Sequence, residues 1–300
     1  MKRSFCVGSE WLYFKVYLGV KSADALLKDL TPYIHAFKEE TLIDKWFFIR
    51  YRDPHEHLRL RFHCASPSGI FQVVERLHLI FDALLSEDVI WKVQIDTYQR
   101  ELERYGIATM EASESIFSYD SDLFMNYLMV KPSFSRDQEQ LLFSFVAIDG
   151  FLDAFLLCDT QKLSLLEKLQ EAFKTEFQAD KTLKKELDQN YRSIKVKAEE
   201  CLYNKKLIGF QELNGPIVQR NIKVKCLADS VLNSLEIPLN DFLSSHIHMM
   251  LNRQFTSRQR YYELIVYDHL FRFYKTRCYH SKVDSELSLE IEPSLEVSRA

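Results

Sequence analysis

A chain of 300 residues is long enough for one large domain or two tightly joined ones. Its 47 % hydrophobic and 27 % charged residues are ordinary for a globular protein, and a net charge of −4 argues against general phosphate-backbone binding. Six cysteines without a C-x-x-C spacing signal neither a zinc ribbon nor a redox pair, and only seven glycines leave little room for a phosphate loop.

With no apolar run at the N-terminus and no stretch of membrane-span length, a reducing cytoplasm is the expected location. Trp11 to Gly19 (W-L-Y-F-K-V-Y-L-G) predicts a strand, with Leu12, Phe14, Val16 and Leu18 on one face and Tyr13, Lys15 and Tyr17 on the other. A helix follows from Ser22 to about Glu39, with Leu26, Leu27, Leu30, Ile34 and Phe37 at helical spacing. Ser22 is its expected N-cap, Asp24 suits the first turn and Pro32 is an expected kink.

Asp44 to His63 reads as two alternating runs around an Asp53-Pro54 turn, a β-hairpin. On the second run His57, Arg59, Arg61 and His63 share one face; the first run is expected to add Arg50 and Arg52 to it. Four guanidinium groups and two imidazoles on one sheet face would hold anions well, because arginine stays charged and offers a bidentate fork. Alternating charges also fit a solvated outer face. Arginine at all four positions, where lysine or glutamate would solvate as well, favours a site.

After a Ser66–Gly69 turn, Ile70 to Leu85 predicts a helix with one apolar stripe, and Val89 to Tyr98 a further strand. The order β-α-β-β-α-β is the ferredoxin-like split pattern of an α+β fold, with both helices on one face of a four-stranded antiparallel sheet. The opposite face, with Tyr13, Lys15, Tyr17, Arg50, Arg52, Arg59, Arg61, His63, Gln94 and Tyr98, is either solvated or the floor of a cleft roofed by the second half.

The second half reads as helical. Thr97 to Gly106 places Arg100 and Arg104 one turn apart; Met110 to about Leu128 is expected to break near Tyr119–Ser121; Ser135 to Leu157 is the most apolar helix. Charged amphipathic helices follow over Ser164–Glu176 and Lys181–Tyr203. Asn214-Gly215-Pro216 marks a break, and three helices cover Asn221–Leu235, Leu239–Asn252 and Arg258–Tyr274. The expected division is a ferredoxin-like half over 1–106, a helical half over 107–280 and a disordered acidic tail over 281–300. On the helix S-H-I-H-M-M-L-N-R, His248, Leu251 and Asn252 share a face, so His248 could move protons and Asn252 could orient it or the substrate. A structural histidine near a helix end fits the same spacing. His246 falls on another side, so no i, i+4 metal pair forms and no metal is expected.

Five blocks stand in order between Trp11 and Arg253: W-L-Y-F-K-V-Y, W-F-F-I-R-Y-R-D-P-x-x-H-L-R-L-R-F, T-Y-x-R-E-L-E-R-Y-G, F-S-Y-D-S-D and H-M-x-x-N-R. Together they resemble the thiopeptide-type bacteriocin biosynthesis family, which is similar to the C-terminal glutamate-elimination domain of class I lantibiotic dehydratases. The resemblance implies a split, stand-alone form that β-eliminates glutamate from O-glutamylated Ser or Thr of a precursor peptide, leaving dehydroalanine or dehydrobutyrine. The implied partners are that precursor peptide and a separate glutamylating dehydratase subunit, with a cyclase as a further candidate. No cofactor, direct nucleic-acid contact or membrane span is implied.

Such chemistry needs a base for the α-proton, a donor for the developing enolate and cations for the departing glutamate. The family assigns this work to arginines and a histidine; the matching positions are Arg59, Arg61, Arg104 and His248, with Arg50 a further candidate. Tyr17 and Tyr98 are possible helpers, and Arg100, Asn252 and Arg253 complete the expected substrate contacts. The chain departs from the family at Ile107, where a second glycine is common, and at Met250, where a second histidine is common; both bear on fine specificity rather than on reaction class. Two other readings stay open: a pyridine-forming cycloaddition enzyme of the same fold, and a non-catalytic subunit that grips acidic peptide.

Overall fold

The hairpin's arginines are sorted by strand register, and the register places them on two faces rather than one. The computed structural model describes residues 1–134 and 137–291. Its main sheet comprises β2 (Trp11–Leu18), β3 (Ile43–Arg52), β4 (Glu56–Cys64) and β5 (Ile90–Ile95), in the spatial order β3-β4-β2-β5 with every pairing antiparallel. A small second sheet pairs β1 (Ser4–Phe5) with β6 (Tyr98–Gln99).

Residues directly opposite on neighbouring strands share a face. Arg61 lies opposite Tyr13 and Phe47, and Arg59 opposite Lys15 and Ile49. Arg50 lies opposite Leu58 and Arg52 opposite Glu56, so both sit on the other face. The expected four-arginine face is therefore corrected to Arg59 and Arg61, with His57 and His63. A register irregularity between Ile43 and Lys45 accompanies an even–odd phase that puts Trp46 and Phe48 with the apolar side chains.

Helices α1 (Ala23–Glu39) and α2 (Pro67–Ser86) pack on the apolar face, where Leu12, Phe14, Val16, Phe48, Leu60 and Phe62 join Leu27, Leu30, Val73 and Leu77 in one core. Two local expectations change. Ser22 precedes α1 but its side chain makes no capping bond. Ser66–Gly69 is no free turn: Ser66 Oγ accepts from Gly69 N–H (3.2 Å) and Pro67 opens α2, where a missing N–H costs nothing.

The second half is helical: α3 (Leu102–Tyr105), α4 (Met110–Val130), α5 (Asp137–Ala154), α6 (Asp159–Glu176), α7 (Lys181–Asn204), α8 (Asn214–Ser234), α9 (Leu239–Gln254) and α10 (Gln259–Ile291). Among the described residues no helix is long and apolar enough to cross a membrane. The break expected near Tyr119–Ser121 is absent. α4 runs through it, because Ser118 and Ser121 are buried and accept backbone N–H groups of β3, while buried Asp120 faces Arg220 of α8 at 3.7 Å. Asn214–Pro216 forms the first turn of α8, where proline is tolerated, rather than a break. Arg100 and Arg104 do not share a helix, since Arg100 lies between β6 and the four-residue α3. α10 carries helix into the first part of the acidic tail, and residues 292–300 lie outside the described residues.

The two halves are joined along the free edge of β3. Its outward N–H groups at Trp46, Phe48 and Arg50 donate to Ser118 Oγ (3.3 Å), Ser121 Oγ (3.3 Å) and Asn252 Oδ1 (3.0 Å). Asn252 Nδ2 also donates to the Arg50 carbonyl (2.9 Å). Side chains of α4 and α9 thus stand in for a fifth strand and satisfy an edge that would otherwise expose unpaired backbone.

Candidate active site

Arg61 sits mid-strand on β4, only 7 % exposed. Its guanidinium carbon lies 4.6 Å from the Tyr13 ring, 5.2 Å from Phe47 and 4.8 Å from Tyr98. Strands β2 and β3 supply the first two rings through register, while Tyr98 reaches in from β6. Burial lowers the Arg61 pKa, yet arginine keeps its proton at any physiological pH. Its Nε has no hydrogen-bond partner and, among the described residues, no carboxylate lies within ion-pair distance. Aromatic faces compensate part of the desolvation; an incoming anion would supply the rest.

Arg59, about 7 Å further along the same face by strand geometry, is half-buried. Its guanidinium lies 3.4 Å from the centre of the Tyr51 ring, and its Nε donates to His57 Nε2 (3.2 Å). The His55 carbonyl is 2.9 Å from His57 Nδ1, so the proton of a neutral imidazole belongs on Nδ1 and Nε2 accepts. Burial lowers the His57 pKa, which favours that neutral form. Tyr17 packs on His57 with ring centres 4.8 Å apart. Lys15 is paired with Asp96, and His63 with Asp44 (2.5 Å).

The two ends of this face differ. Around Arg61, the rings of Trp11, Tyr13, Phe47 and Tyr98 merge with Tyr105 of α3 and Met110 and Phe117 of α4, with Met249 of α9 against them. This end is roofed by the helical half. At the other end Tyr51 is exposed and Arg59 reaches solvent. The face is thus closed over Arg61 and open to solvent beside Arg59.

Three expected ligands serve the frame instead. Arg50 Nη2 pairs with Asp24 (2.5 Å) and its Nε donates to the Arg253 carbonyl (3.0 Å), on the α1 side of the sheet. Arg100 makes a bidentate pair with buried Glu114, from Nε and Nη2 at 2.7 Å each. Asn252 holds the β3 edge and Gln259 (2.9 Å). Arg104 is exposed on α3 and pairs with Glu101 (3.1 Å).

Arg253 is fully buried; Nε donates to Ser121 Oγ (3.2 Å) and Nη1 to the Met249 carbonyl (3.0 Å), while Nη2 has no partner. Burial lowers its pKa to about 10, with the charge of Arg61 acting in the same direction.

The two histidines of α9 part company. His248, half-buried, holds Nδ1 3.1 Å from both carboxylate oxygens of buried Glu263 on α10. Glu263 is itself fixed by Gln259 (2.7 Å) and Arg260 (3.1 Å). A carboxylate behind Nδ1 leaves Nε2 as the proton-exchanging nitrogen. The imidazole that packs against the aromatic cluster around Arg61 is His246, 5.1 Å from both Tyr105 and Phe117. Burial, helped by Arg253, pushes its pKa down to about 3, so it stays neutral.

Sequence reasoning missed Glu114, Ser118, Ser121 and Glu263. Glu114 had a signal: it lies at i+4 from Met110 and i−3 from Phe117, on a buried stripe where a carboxylate needs a partner.

A family model described as "Lantibiotic biosynthesis dehydratase C-term" matches residues 11–274. The nisin biosynthesis protein NisB of Lactococcus lactis subsp. lactis is 26 % identical over 275 residues, which are 90 % of this chain and 26 % of that one. The tRNA-dependent lantibiotic dehydratase MibB from Microbispora sp. 107891 superposes with a TM-score of 0.70 at 18 % identity, over 89 % of this chain and 28 % of that one. TbtD, the pyridine synthase from thiomuracin biosynthesis, superposes with a TM-score of 0.60 at 14 % identity, over 89 % of this chain and 100 % of that one. At these identities the structural likenesses carry the fold alone. The chain spans 17 % to 26 % of the length of the curated relatives it matches.

Proposed function

The chain belongs to the lantibiotic biosynthesis dehydratase C-terminal family, and we propose that it β-eliminates glutamate from O-glutamylated Ser or Thr of a ribosomally made precursor peptide. The observation that carries this is the pair Arg59 and Arg61: two guanidiniums on an aromatic floor, with no carboxylate partner among the described residues. The strand order supports reading the first half as ferredoxin-like, with the helical half as the roof of its polar face.

In the reaction a base takes the α-proton, the C–H electron pair becomes the Cα=Cβ double bond, and the Cβ–O bond breaks with its electrons leaving on glutamate. Arg61 opposes the negative charge that builds at the reacting residue, where low local dielectric strengthens it. Arg59, nearer solvent, holds the glutamyl carboxylate as a fork, and Arg104 adds a cation at the surface. His248, backed by Glu263, is the proton carrier in this reading, with Tyr17 and Tyr98 as helpers. Arg50, Arg100, Asn252 and Arg253 keep these groups in place. The partners are the glutamylated precursor, the glutamylating subunit and a cyclase acting on the product, in the cytoplasm.

Purified protein offered a glutamylated precursor tests this by mass spectrometry. Loss of one glutamate per modified residue supports elimination. Tight binding of unchanged peptide would replace it with the non-catalytic reading. The fold shared with TbtD, a pyridine synthase, supports a second reaction. A precursor already carrying two dehydroalanines tests it, since pyridine formation would release the leader peptide.

A further inference from the structure

Arg61 is held by rings rather than by hydrogen bonds, so what fixes those rings fixes its donors. Tyr13 and Phe47 belong to strands that flank Arg61 and come with the sheet. Tyr98 comes from β6, outside that sheet, and needs its own tether. It has one: its hydroxyl donates to Glu114 Oε1 (2.9 Å), and Glu114 is 1 % exposed. Both Glu114 oxygens also accept from Arg100. Arg100 is in turn anchored to the residues just before β1, with its backbone N–H on the Arg3 carbonyl (2.9 Å) and Nη1 on the Lys2 carbonyl (3.2 Å). The Tyr98 ring also stacks on Phe5 of β1, ring centres 5.7 Å apart. Neutralising Arg100 would need none of this alignment with a tyrosine tip, and a well-packed apolar pair would fill the same space.

We propose that Glu114 is a positioning residue: with Arg100 it anchors the Tyr98 hydroxyl, and the Tyr98 ring then fixes the guanidinium of Arg61 for the anionic substrate. This rests on the elimination reading above. Elimination places charge at one point, and donors that wander by an ångström lose much of their effect. The chain Arg100–Glu114–Tyr98–Arg61 crosses from the small sheet to the large one, so it also ties the N-terminal strand to the site.

Tyr98→Phe removes the tether and keeps the ring. The double variant Arg100→Met with Glu114→Met removes both charges together, so neither is stranded in the core. Each is expected to lower kcat for glutamate release about tenfold while the peptide KM stays within about twofold and the far-UV circular dichroism is unchanged. Tyr98→Phe added to Arg61→Lys is expected to cost nothing further, because the effect runs through Arg61. Parental kcat in Tyr98→Phe, or losses that multiply in the combined variant, would overturn the proposal. Should the double variant not fold, Tyr98→Phe decides alone.

A parental protein that releases no glutamate would sink the elimination reading instead. The side-chain Nε–H resonance of Arg61, identified by its disappearance in Arg61→Lys, then decides the positioning question. Its hydrogen exchange is expected to be at least about tenfold faster in Tyr98→Phe, and unchanged exchange would overturn the proposal.

Discussion

Asn252→Ala removes the one side chain that serves both backbone groups of Arg50 at the β3 edge. Asn252 is 9 % exposed, so water has little access to replace it. The variant leaves the Arg50 N–H and C=O without their partner, and each stranded buried group costs about 1–3 kcal/mol. Allowing for partial hydration of this half-buried strand end, the expected loss is about 2–4 kcal/mol. That is a large share of the roughly 5–15 kcal/mol that keeps a typical domain folded. Urea unfolding at pH 7, followed by far-UV circular dichroism, reads it as a lower midpoint with an unchanged slope. Asn252→Asp keeps an acceptor for the Arg50 N–H and loses the donor to its carbonyl, so it should fall between parent and alanine. A loss below about 0.5 kcal/mol for Asn252→Ala, the level of an ordinary surface change, would refute the claim that side chains seal this edge.

Arg61→Lys keeps a charge but loses the planar fork; glutamate release, followed by mass spectrometry, is expected to fall about a hundredfold with peptide binding retained. His246 is neutral in the folded protein down to about pH 3, whereas the unfolded chain protonates it near 6.5. The unfolded state therefore binds more protons between those values, and stability falls as pH falls from 6.5 toward 3. Between pH 7 and pH 5 the parent should lose about 2 kcal/mol more than His246→Leu in urea titrations; equal losses would refute this. Lys162, 1 % exposed, holds Asp149 and Asp153 at 2.5 Å each. Lys162→Met removes the buried cation from Asp149, leaving Lys205 and the Tyr274 hydroxyl beside it, and thermal melts should show a loss of about 3 kcal/mol.

Much of the first half was legible because strand and helix periods differ. The alternation along Trp11–Leu18 and Glu56–Cys64 identified both faces, and the helical spacing of Leu26, Leu30, Ile34 and Phe37 identified the covering helix. The first hairpin strand was misphased. Apolar residues occupy both of its faces near Trp46–Ile49, so alternation alone did not say which face Arg50 joins. Asp120 and Ser121 in Tyr119–Ser121 looked like a helix break because short polar side chains usually compete with the backbone. Here their partners lie in β3 and on Arg220 and Arg253, far away in sequence.

The same distance explains the site. By itself, the residue pattern settled which side chains on β4 point together, since a two-residue period depends only on local backbone geometry. It also determined the family through five blocks in order. Only the tertiary structure decided which charges are free. Arg61 is unpaired among the described residues, while Arg50 and Arg100 are neutralised by Asp24 and Glu114. Pairing is set by contacts between chain segments that fold together from remote positions, and a charge shows no sign of its partner until the core that desolvates both has formed.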